Sequence, residues 1–341
     1  AAPGWSRPGF DDSSWLPVEV GASDAERLVM PTDAPVRAVE TLRPVEVSVQ
    51  ERRVLPLGGG EAELSPERVL IDFGQNISGR LRIRVSGPAG RTITLRHAEV
   101  LDDGVLGMRT LREAQATDTY TLAGDGIEEW EPAFAIHGFR YADVTGWPGG
   151  AAAAKAAIED GAVLAVVIHT QMERLGAFAC SDERVTRLHE NSRWSMRDNF
   201  VALPTDCPQR ERTGWTGDAQ VFAPAAANNA EVHAFLARWM RNVRADQRED
   251  GSVMNMSPWP PLMGAVEGIP GPGGIAVSAG WGDAVIRVPL TLWERYGDTT
   301  ALEENLGAMR SWVAKQTREA DRELPGRLRA EAGGPTDGWE R

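Results

Sequence analysis

The sequence predicts a β-sandwich followed by a helical domain, and two observations carry that prediction. Residues 41–145 contain short runs of alternating apolar and polar side chains, separated by turn residues, which is typical of antiparallel strands buried on one face. After about residue 180 the apolar spacing changes from two to 3.6, the period of a helix. The length of 341 residues exceeds one average domain, and the contents of 42% hydrophobic and 25% charged residues are those of a globular protein.

Six strands are predicted in the first half. In residues 81–85, Leu-Arg-Ile-Arg-Val, the apolar side chains fall on one face and the arginines on the other. Glycine-rich turns such as Gly124–Gly126 separate the strands at the spacing of a sandwich. The alanine-rich residues 151–160 are expected to be a surface insertion before a seventh strand, 162–168. The six strands are 45–49, 69–72, 81–85, 92–96, 119–122 and 139–144.

Helices are predicted after residue 180. Ser181 or Asp182 can cap the first, which leads to Phe200. The clearest amphipathic stripe runs from Val232 to Val243, with apolar residues at i, i+3, i+4, i+7, i+8 and i+11. Two further patterns cover Trp281–Tyr296, with a kink expected at Pro289, and the apolar residues Leu302, Leu306, Met309, Trp312 and Val313. Gly251–Gly280 and residues 322–341 are predicted as loops, the former functional or mobile.

Composition excludes several classes of protein. Acidic residues number 49 against 36 basic ones, a net charge of −13, which disfavours binding to a nucleic-acid backbone. No apolar run is long enough to span a bilayer. Cys180 and Cys207 cannot form a disulfide framework and no leader precedes the first tryptophan, so a cytoplasmic protein is expected, although a secreted protein with its leader removed would leave the same evidence. The five histidines show no metal-ligand spacing, and the oligomeric state is left open.

One turn between helices concentrates chemically active side chains. Residues 204–220 contain three acids, Asp206, Glu211 and Asp218, which can donate a proton or accept hydrogen bonds from hydroxyls. Arg210 can hold a carboxylate, and Trp215 can stack on a sugar ring. The sequence also holds twelve Trp against three Tyr and eight Phe. The alternative is a capping turn in which the two arginines merely neutralise the acids, with Cys207 as a buried structural thiol.

The run Thr205–Gln220, TDCPQRERTGWTGDAQ, resembles the signature of bacterial α-L-rhamnosidases, glycoside hydrolase family seventy-eight. Similar segments follow the family's order along most of the chain: Asp72–Asn76, His137–Tyr141, Gly176–Asp182, Leu188–Asn191 and Gly280–Ala284. The resemblance implies residues 1–20 as the tail of a galactose-binding-like module, residues 21–175 as the β-sandwich, and residues 176–341 as the first part of an (α/α)6 barrel. His137–Tyr141 is expected to pack the sandwich on the helical domain.

The resemblance also implies an activity, the release of terminal α-L-rhamnose with inversion, without a cofactor or an obligatory catalytic metal. It gives Glu211 the position of the general acid and places Asp206, Arg210, Trp215 and Asp218 around the rhamnose. In many members another acid precedes the catalytic glutamate, whereas here Arg210 does, as in a shorter form of the motif. The acids around Glu211 are expected to outweigh the arginines and keep it protonated.

Three further residues are predicted to bind substrate. Trp259 and Trp281 can stack on the CH face of a 6-deoxy sugar, and Asp283 can accept hydrogen bonds from its hydroxyls. A barrel of twelve helices needs roughly 250 residues, and 161 follow residue 180. The general base is therefore expected beyond residue 341, in a longer enzyme. Two alternatives stay open: an (α/α)6 hydrolase or lyase acting on another sugar, and a non-catalytic carbohydrate-binding protein.

Overall fold

A computed structural model gives the fold of the chain in two compact units, residues 1–32 and 33–341. In the first unit the rings of Phe10 and Trp15 lie 5.5 Å apart. The second unit contains both the strands and the helices, so this division does not test the predicted boundaries at residues 20 and 175. The structure describes residues 4–5, 7–22, 26, 28–51, 54–58, 61–64, 66–259 and 277–320. Within these ranges no helix is long and apolar enough to cross a membrane.

The strand region forms an antiparallel sheet of eight strands that curls around one core. The strands of this region, including those of two separate two-stranded sheets, are β1 (Val36–Leu42), β2 (Glu46–Gln50), β3 (Val54–Gly58), β4 (Glu61–Leu64), β5 (Arg68–Ser86), β6 (Thr92–Ala98), β7 (Leu101–Asp102), β8 (Val105–Leu106), β9 (Thr117–Thr121), β10 (Ile127–Trp130), β11 (His137–Thr145) and β12 (Val163–Thr170). The large sheet has the order β1-β12-β5-β11-β6-β9, and β2 and β10 also pair with β5. β3 with β4 and β7 with β8 form two-stranded sheets.

The 19-residue β5 is the spine of this sheet. Its first residues pair with β2 and its last with β10 and β12, and between them Gly74 takes a φ of +75° that a side chain would strain. The alternation predicted for residues 81–85 is confirmed: Leu81 and Ile83 are fully buried, whereas the neighbouring Arg82 donates to Glu131 on the outer face at 2.8 Å.

The prediction that residues 151–160 are a surface insertion is wrong. They form helix α1 (Gly150–Glu159), which returns to the sheet and buries Ala151, Ala154 and Ile158 in the sandwich core. Alanine is the strongest helix former, and its small side chain lets the helix lie close to the strands. The alanine run is therefore part of the core packing.

Helices form a second core. They are α2 (Glu183–Asn199), α3 (Thr216–Asn229), α4 (His233–Asp246), α5 (Ala279–Gly282), α6 (Ala284–Tyr296) and α7 (Thr299–Ala320). The cap predicted for the first is confirmed, since Asp182 accepts from the Arg184 N–H at 2.9 Å. The stripe predicted for residues 232–243 is also confirmed, with Trp239 fully buried. The pattern predicted from Trp281 is divided into α5 and α6 at Asp283. The predicted loop 322–341 lies outside the described residues.

The two cores meet along α2 and the start of β11. Asp198, 4% exposed, accepts a hydrogen bond from the Ser78 N–H of β5 at 2.9 Å, and burial raises the pKa of this carboxyl well above its ordinary value. A methyl group at Gly138 would lie 2.7 Å from the Gln209 nitrogen, so the contact predicted for His137–Tyr141 is confirmed at its glycine. The ring of Phe139 instead packs in the sandwich core.

Candidate active site

The acid-rich loop runs from a short hairpin into α3 and is closed across its base. The hairpin strands β13 (Phe200–Val201) and β14 (Leu203–Pro204) end at Thr205, whose N–H donates to the Asn199 carbonyl at 2.8 Å. The Asp206 N–H donates to the Thr213 carbonyl at 3.1 Å, and the Thr213 N–H donates to Asp206 Oδ1 at 3.0 Å. These reciprocal bonds fix residues 206–213 as one closed turn, with Asp206 at its base.

Glu211 lies on the outer side of this turn. Trp215 Nε1 donates to Glu211 Oε2 at 2.8 Å, and the Arg210 guanidinium pairs with Oε1. A third of the Glu211 side chain is exposed, so a ligand can reach the carboxyl. The next residue, Arg212, takes a φ of +53° and donates to the Ile136 carbonyl of the sandwich. Glu211 is thus paired with an arginine, as the capping-turn interpretation requires, and it is also accessible to a ligand, as a catalytic acid must be.

Cys207 links the two acids of the turn. Its thiol donates to Asp206 Oδ2 at 2.7 Å and accepts from the Glu211 N–H at 3.4 Å. Burial, reinforced by the Asp206 carboxylate, raises the pKa of the thiol. Cys207 is therefore a protonated hydrogen-bond donor, which agrees with the interpretation as a structural thiol and not with a thiolate nucleophile.

Asp206 and Asp218 line the same cavity. Asp218 lies in the first turn of α3, and partial burial together with the charges of Asp206 and Glu211 raises its pKa. The cavity volume is about 160 Å³; a cavity of about 150 Å³ is known to hold one benzene ring, so a single six-membered ring matches this space. The other lining residues are Ser195, Asn199, Phe200, Pro204, Thr205, Ala219 and Phe222.

A buried segment holds the end of the acid-rich loop through backbone hydrogen bonds. Residues 251–257 are buried, although the sequence predicted a functional or mobile loop from 251 to 280. The Ser257 N–H donates to the Gly214 carbonyl and the Thr216 N–H to the Asn255 carbonyl, both at 2.9 Å. These bonds fix the position at which α3 begins, and with it Asp218. Residues 260–276 of the predicted loop lie outside the described part of the chain.

The three remaining predicted residues have different surroundings. The Trp281 ring covers Gly217, where an added methyl would lie 2.8 Å from the indole, so it adjoins Asp218. The main-chain N–H of Trp259 donates to Asp246 Oδ2 at 2.9 Å. Asp283 accepts from the buried Trp312 Nε1 at 2.9 Å, a bond that supports helix packing. Contact of these three with substrate stays a prediction.

Two family models match this chain. A model described as the bacterial alpha-L-rhamnosidase 6 hairpin glycosidase domain matches residues 173–334, and one described as the bacterial alpha-L-rhamnosidase concanavalin-like domain matches residues 62–169. An alpha-L-rhamnosidase of Streptomyces avermitilis is 39% identical over 98% of this chain and 29% of its own length. One of an Alteromonas species is 33% identical over 91% of this chain and 31% of its own.

Solved structures agree. The crystal structure of the Streptomyces avermitilis alpha-L-rhamnosidase complexed with L-rhamnose matches with a TM-score of 0.77 and 38% identity, covering 95% of this chain and 29% of that one. That of the Aspergillus terreus enzyme matches with 0.74 and 39%, covering 91% and 33%. The chain thus spans about a third or less of these relatives. The predicted β-sandwich and the helices of a six-hairpin barrel are confirmed, and the chain belongs to the bacterial α-L-rhamnosidase family.

Proposed function

We propose that this chain carries the proton-donating half of an inverting α-L-rhamnosidase site. Glu211 donates a proton to the oxygen that leaves the rhamnose. Asp206 and Asp218 accept hydrogen bonds from the sugar hydroxyls, and the Trp215 indole faces the ring. The observation that supports this most directly is the closed turn: its Asp206 lines a cavity of single-ring size together with Asp218, and its Glu211 carboxyl is exposed and close enough to act electrostatically on Asp218.

The turn gives each acid a different environment, as the division of labour requires. Asp206 is held at the base of the turn by the Thr213 N–H and the Cys207 thiol, so its oxygens are oriented before a sugar arrives. Glu211 is tied by one indole N–H and one guanidinium, side chains that can exchange these bonds for bonds to a ligand. A fixed acceptor and a movable acid are what a hydrolase needs for binding and proton transfer, respectively.

Arg210 and Trp215 position the acid. The indole N–H holds Oε2 at 2.8 Å and leaves Oε1 to face Arg210. Proton delivery from Glu211 requires the guanidinium to leave this oxygen, because an adjacent positive charge favours the ionised carboxylate. We infer that a substrate hydroxyl or ring oxygen takes over the Arg210 bond as the sugar enters.

Inversion requires a second carboxylate to activate water. It must lie about 6.5–9.5 Å from the acid, across the sugar ring, to leave room for that water. Asp206 and Asp218 line the cavity and are assigned to hydroxyl binding. We therefore assign the general base to a carboxylate outside residues 204–220, contributed by the rest of the barrel.

Substitution of Glu211 tests the assignment. In an enzyme that contains this chain and the complete barrel, Glu211→Gln is expected to lower kcat by about 10²–10⁴-fold on rhamnosides with alkyl leaving groups, the range typical of a general acid. The loss should be much smaller on nitrophenyl rhamnoside, whose leaving group departs without protonation. Glu294→Gln, at an exposed carboxyl on α6, is the control and should leave both rates unchanged.

Three results would contradict the proposal. Equal losses on both leaving groups would show that Glu211 acts through structure, and normal turnover of the alkyl rhamnoside would remove it from catalysis. Retained anomeric configuration in the first-formed sugar, measured by NMR, would exclude inversion. Preferential hydrolysis of a different sugar in a panel of nitrophenyl glycosides would identify the enzyme as a hydrolase of that sugar. Binding of rhamnose by the complete protein without hydrolysis would identify a carbohydrate-binding protein.

A further inference from the structure

A buried group of ligand atoms lies within the sandwich, apart from the acid loop. His97 is the next-to-last residue of β6, Asp118 lies in β9 and His137 begins β11. One nitrogen of each histidine and one oxygen of Asp118 lie within 4.8 Å of one another. The distance from Asp118 Oδ2 to His137 Nε2 is 2.9 Å, and that to His97 Nε2 is 4.0 Å. The residues lie on three different strands, which explains why no metal-ligand spacing is visible along the chain.

His97 has a tautomer and surroundings that suit a metal ligand. Its Nδ1 lies 3.0 Å from the Ala116 carbonyl, which assigns the proton to Nδ1 and leaves a lone pair on Nε2. The residue is fully buried, and Nε2 has no hydrogen-bond partner in the described part of the chain. A buried nitrogen acceptor without a donor is costly.

The surrounding backbone holds His97 in this tautomer. Ala116 has a φ of +45°, a conformation that alanine rarely adopts, and its carbonyl accepts from both the His97 N–H and the ring Nδ1. The edge of Phe139 contacts the ring, with centroids 4.9 Å apart. A histidine whose Nδ1–H is fixed by a backbone carbonyl is the usual arrangement behind a metal-bound Nε2.

Closing the group around an ion requires one small movement. The rings of His97 and His137 stack with centroids 4.2 Å apart and planes at 19°, whereas two imidazoles that share an ion must each point a lone pair at it. We infer that His137 is the ring that tilts, because His97 is fully buried and held at Nδ1 by a backbone carbonyl, whereas the His137 side chain is 10% exposed. Asp118, with 12% of its side chain exposed, gives a path from solvent.

We propose that His97, Asp118 and His137 form a binding site for one divalent transition-metal ion, with Zn²⁺ as the best match. Two imidazole nitrogens and one carboxylate oxygen are a common zinc ligand set, with water in the fourth position. Calcium and magnesium prefer oxygen ligands, so the two nitrogens select against them. The site requires neither the proposed hydrolase activity nor the acid loop.

Zinc binding by the tag-free protein tests the site. Titration against a chromophoric chelator is expected to show one tight equivalent, and Co²⁺ in its place is expected to give visible d–d absorption. Asp118→Asn and His137→Gln each remove one ligand and are expected to weaken binding by about 10²-fold or more. The control is His233→Gln, because His233 forms a two-residue pair with Asp298 at 2.7 Å and should not change zinc affinity.

Several results would overturn the proposal. Wild-type protein that takes up no stoichiometric zinc, or that gives no Co²⁺ absorption, lacks the site, and this readout does not depend on a variant that folds. Unchanged affinity in both ligand variants, with native circular dichroism, would place the ion elsewhere. Loss of binding in His233→Gln would assign the ion to that pair.

Discussion

The junction between Gly138 and the acid loop is expected to control the geometry of Glu211. Gly138 belongs to β11, and a Cβ added there would lie 2.7 Å from both the Gln209 nitrogen and Pro208 Cγ. Neither neighbour can move alone, since one is main chain and the other a ring. Gly138→Ala therefore displaces the start of the turn, two residues before Glu211, while β11 is held in the sheet by β5 and β6.

The size of the effect follows from these distances. Ordinary contacts of a Cβ begin near 3.4 Å, so the loop must retreat by about 0.7 Å. A misplacement of about 1 Å can cost about 10²-fold in rate, so we expect kcat/KM for rhamnosides to fall by about 10- to 100-fold. The same overpacking should cost about 1–3 kcal/mol in the free energy of unfolding.

Kinetics and unfolding on the complete enzyme check this prediction. Gly176→Ala is the matched control, because a methyl group there meets no atom within 4 Å, and it should change neither quantity. If Gly138→Ala keeps kcat/KM within about twofold of the wild-type value and unfolds at the same urea concentration, the contact does not position the acid. A loss of stability alone would show that the strand, and not the loop, absorbs the clash.

Three further predictions concern the junction, the core and the acid. Asp198→Asn keeps the acceptor for Ser78 but removes a buried group that can ionise. Because the folded-state pKa of Asp198 is raised, the contribution of this residue to stability is greatest below its ordinary pKa and falls as the pH rises, so by urea unfolding the variant should gain about 1–3 kcal/mol relative to the wild type near pH 7 but not near pH 3. Ile158→Ala should cost about 2–5 kcal/mol by the same method, whereas an exposed insertion would lose almost nothing. Trp215→Phe removes the donor to Glu211 and should lower kcat on alkyl rhamnosides more than on nitrophenyl rhamnoside.

Local patterns predicted the elements in which one face is consistently apolar. The alternation of residues 81–85 and the stripe of residues 232–243 each match what the core selects. α3 (Thr216–Asn229) has no such stripe and contains Pro224, so no helix was predicted for this part of the chain. α1 was mistaken for an insertion because alanine contributes to packing through its small size and not through hydrophobic contrast. The buried face of an alanine-rich helix is set by the strands it packs against, and a local sequence pattern carries no information about those strands.

The site was predictable as far as it is contiguous in the sequence. Asp206, Glu211 and Trp215 lie in one run, and the structure brings them together with Asp218. Two contributions to their orientation were not predicted. The Cys207 thiol donates a hydrogen bond to Asp206, whereas the residue types indicated only a buried structural thiol. The buried segment 251–257 forms backbone hydrogen bonds with the loop, some forty residues away along the chain. The grouping of His97, Asp118 and His137 likewise depends on how their three strands pair in the sheet.

The protonation of the acid turn depends on its charges as a group. The sequence led us to expect that the acids around Glu211 outweigh the arginines, and this stays a prediction, because Arg210 pairs with its carboxylate in the structure. Asp218, in the first turn of α3, is a neighbouring acid whose pKa is raised, mainly by burial and further by the charges of Asp206 and Glu211. Electrostatic coupling is mutual, so a proton on either carboxyl makes it easier for the other to ionise. The Arg210 guanidinium favours the ionised carboxylate while it pairs with Glu211, so under the proposed mechanism we expect a bound sugar to release this pair before Glu211 donates a proton to the leaving oxygen.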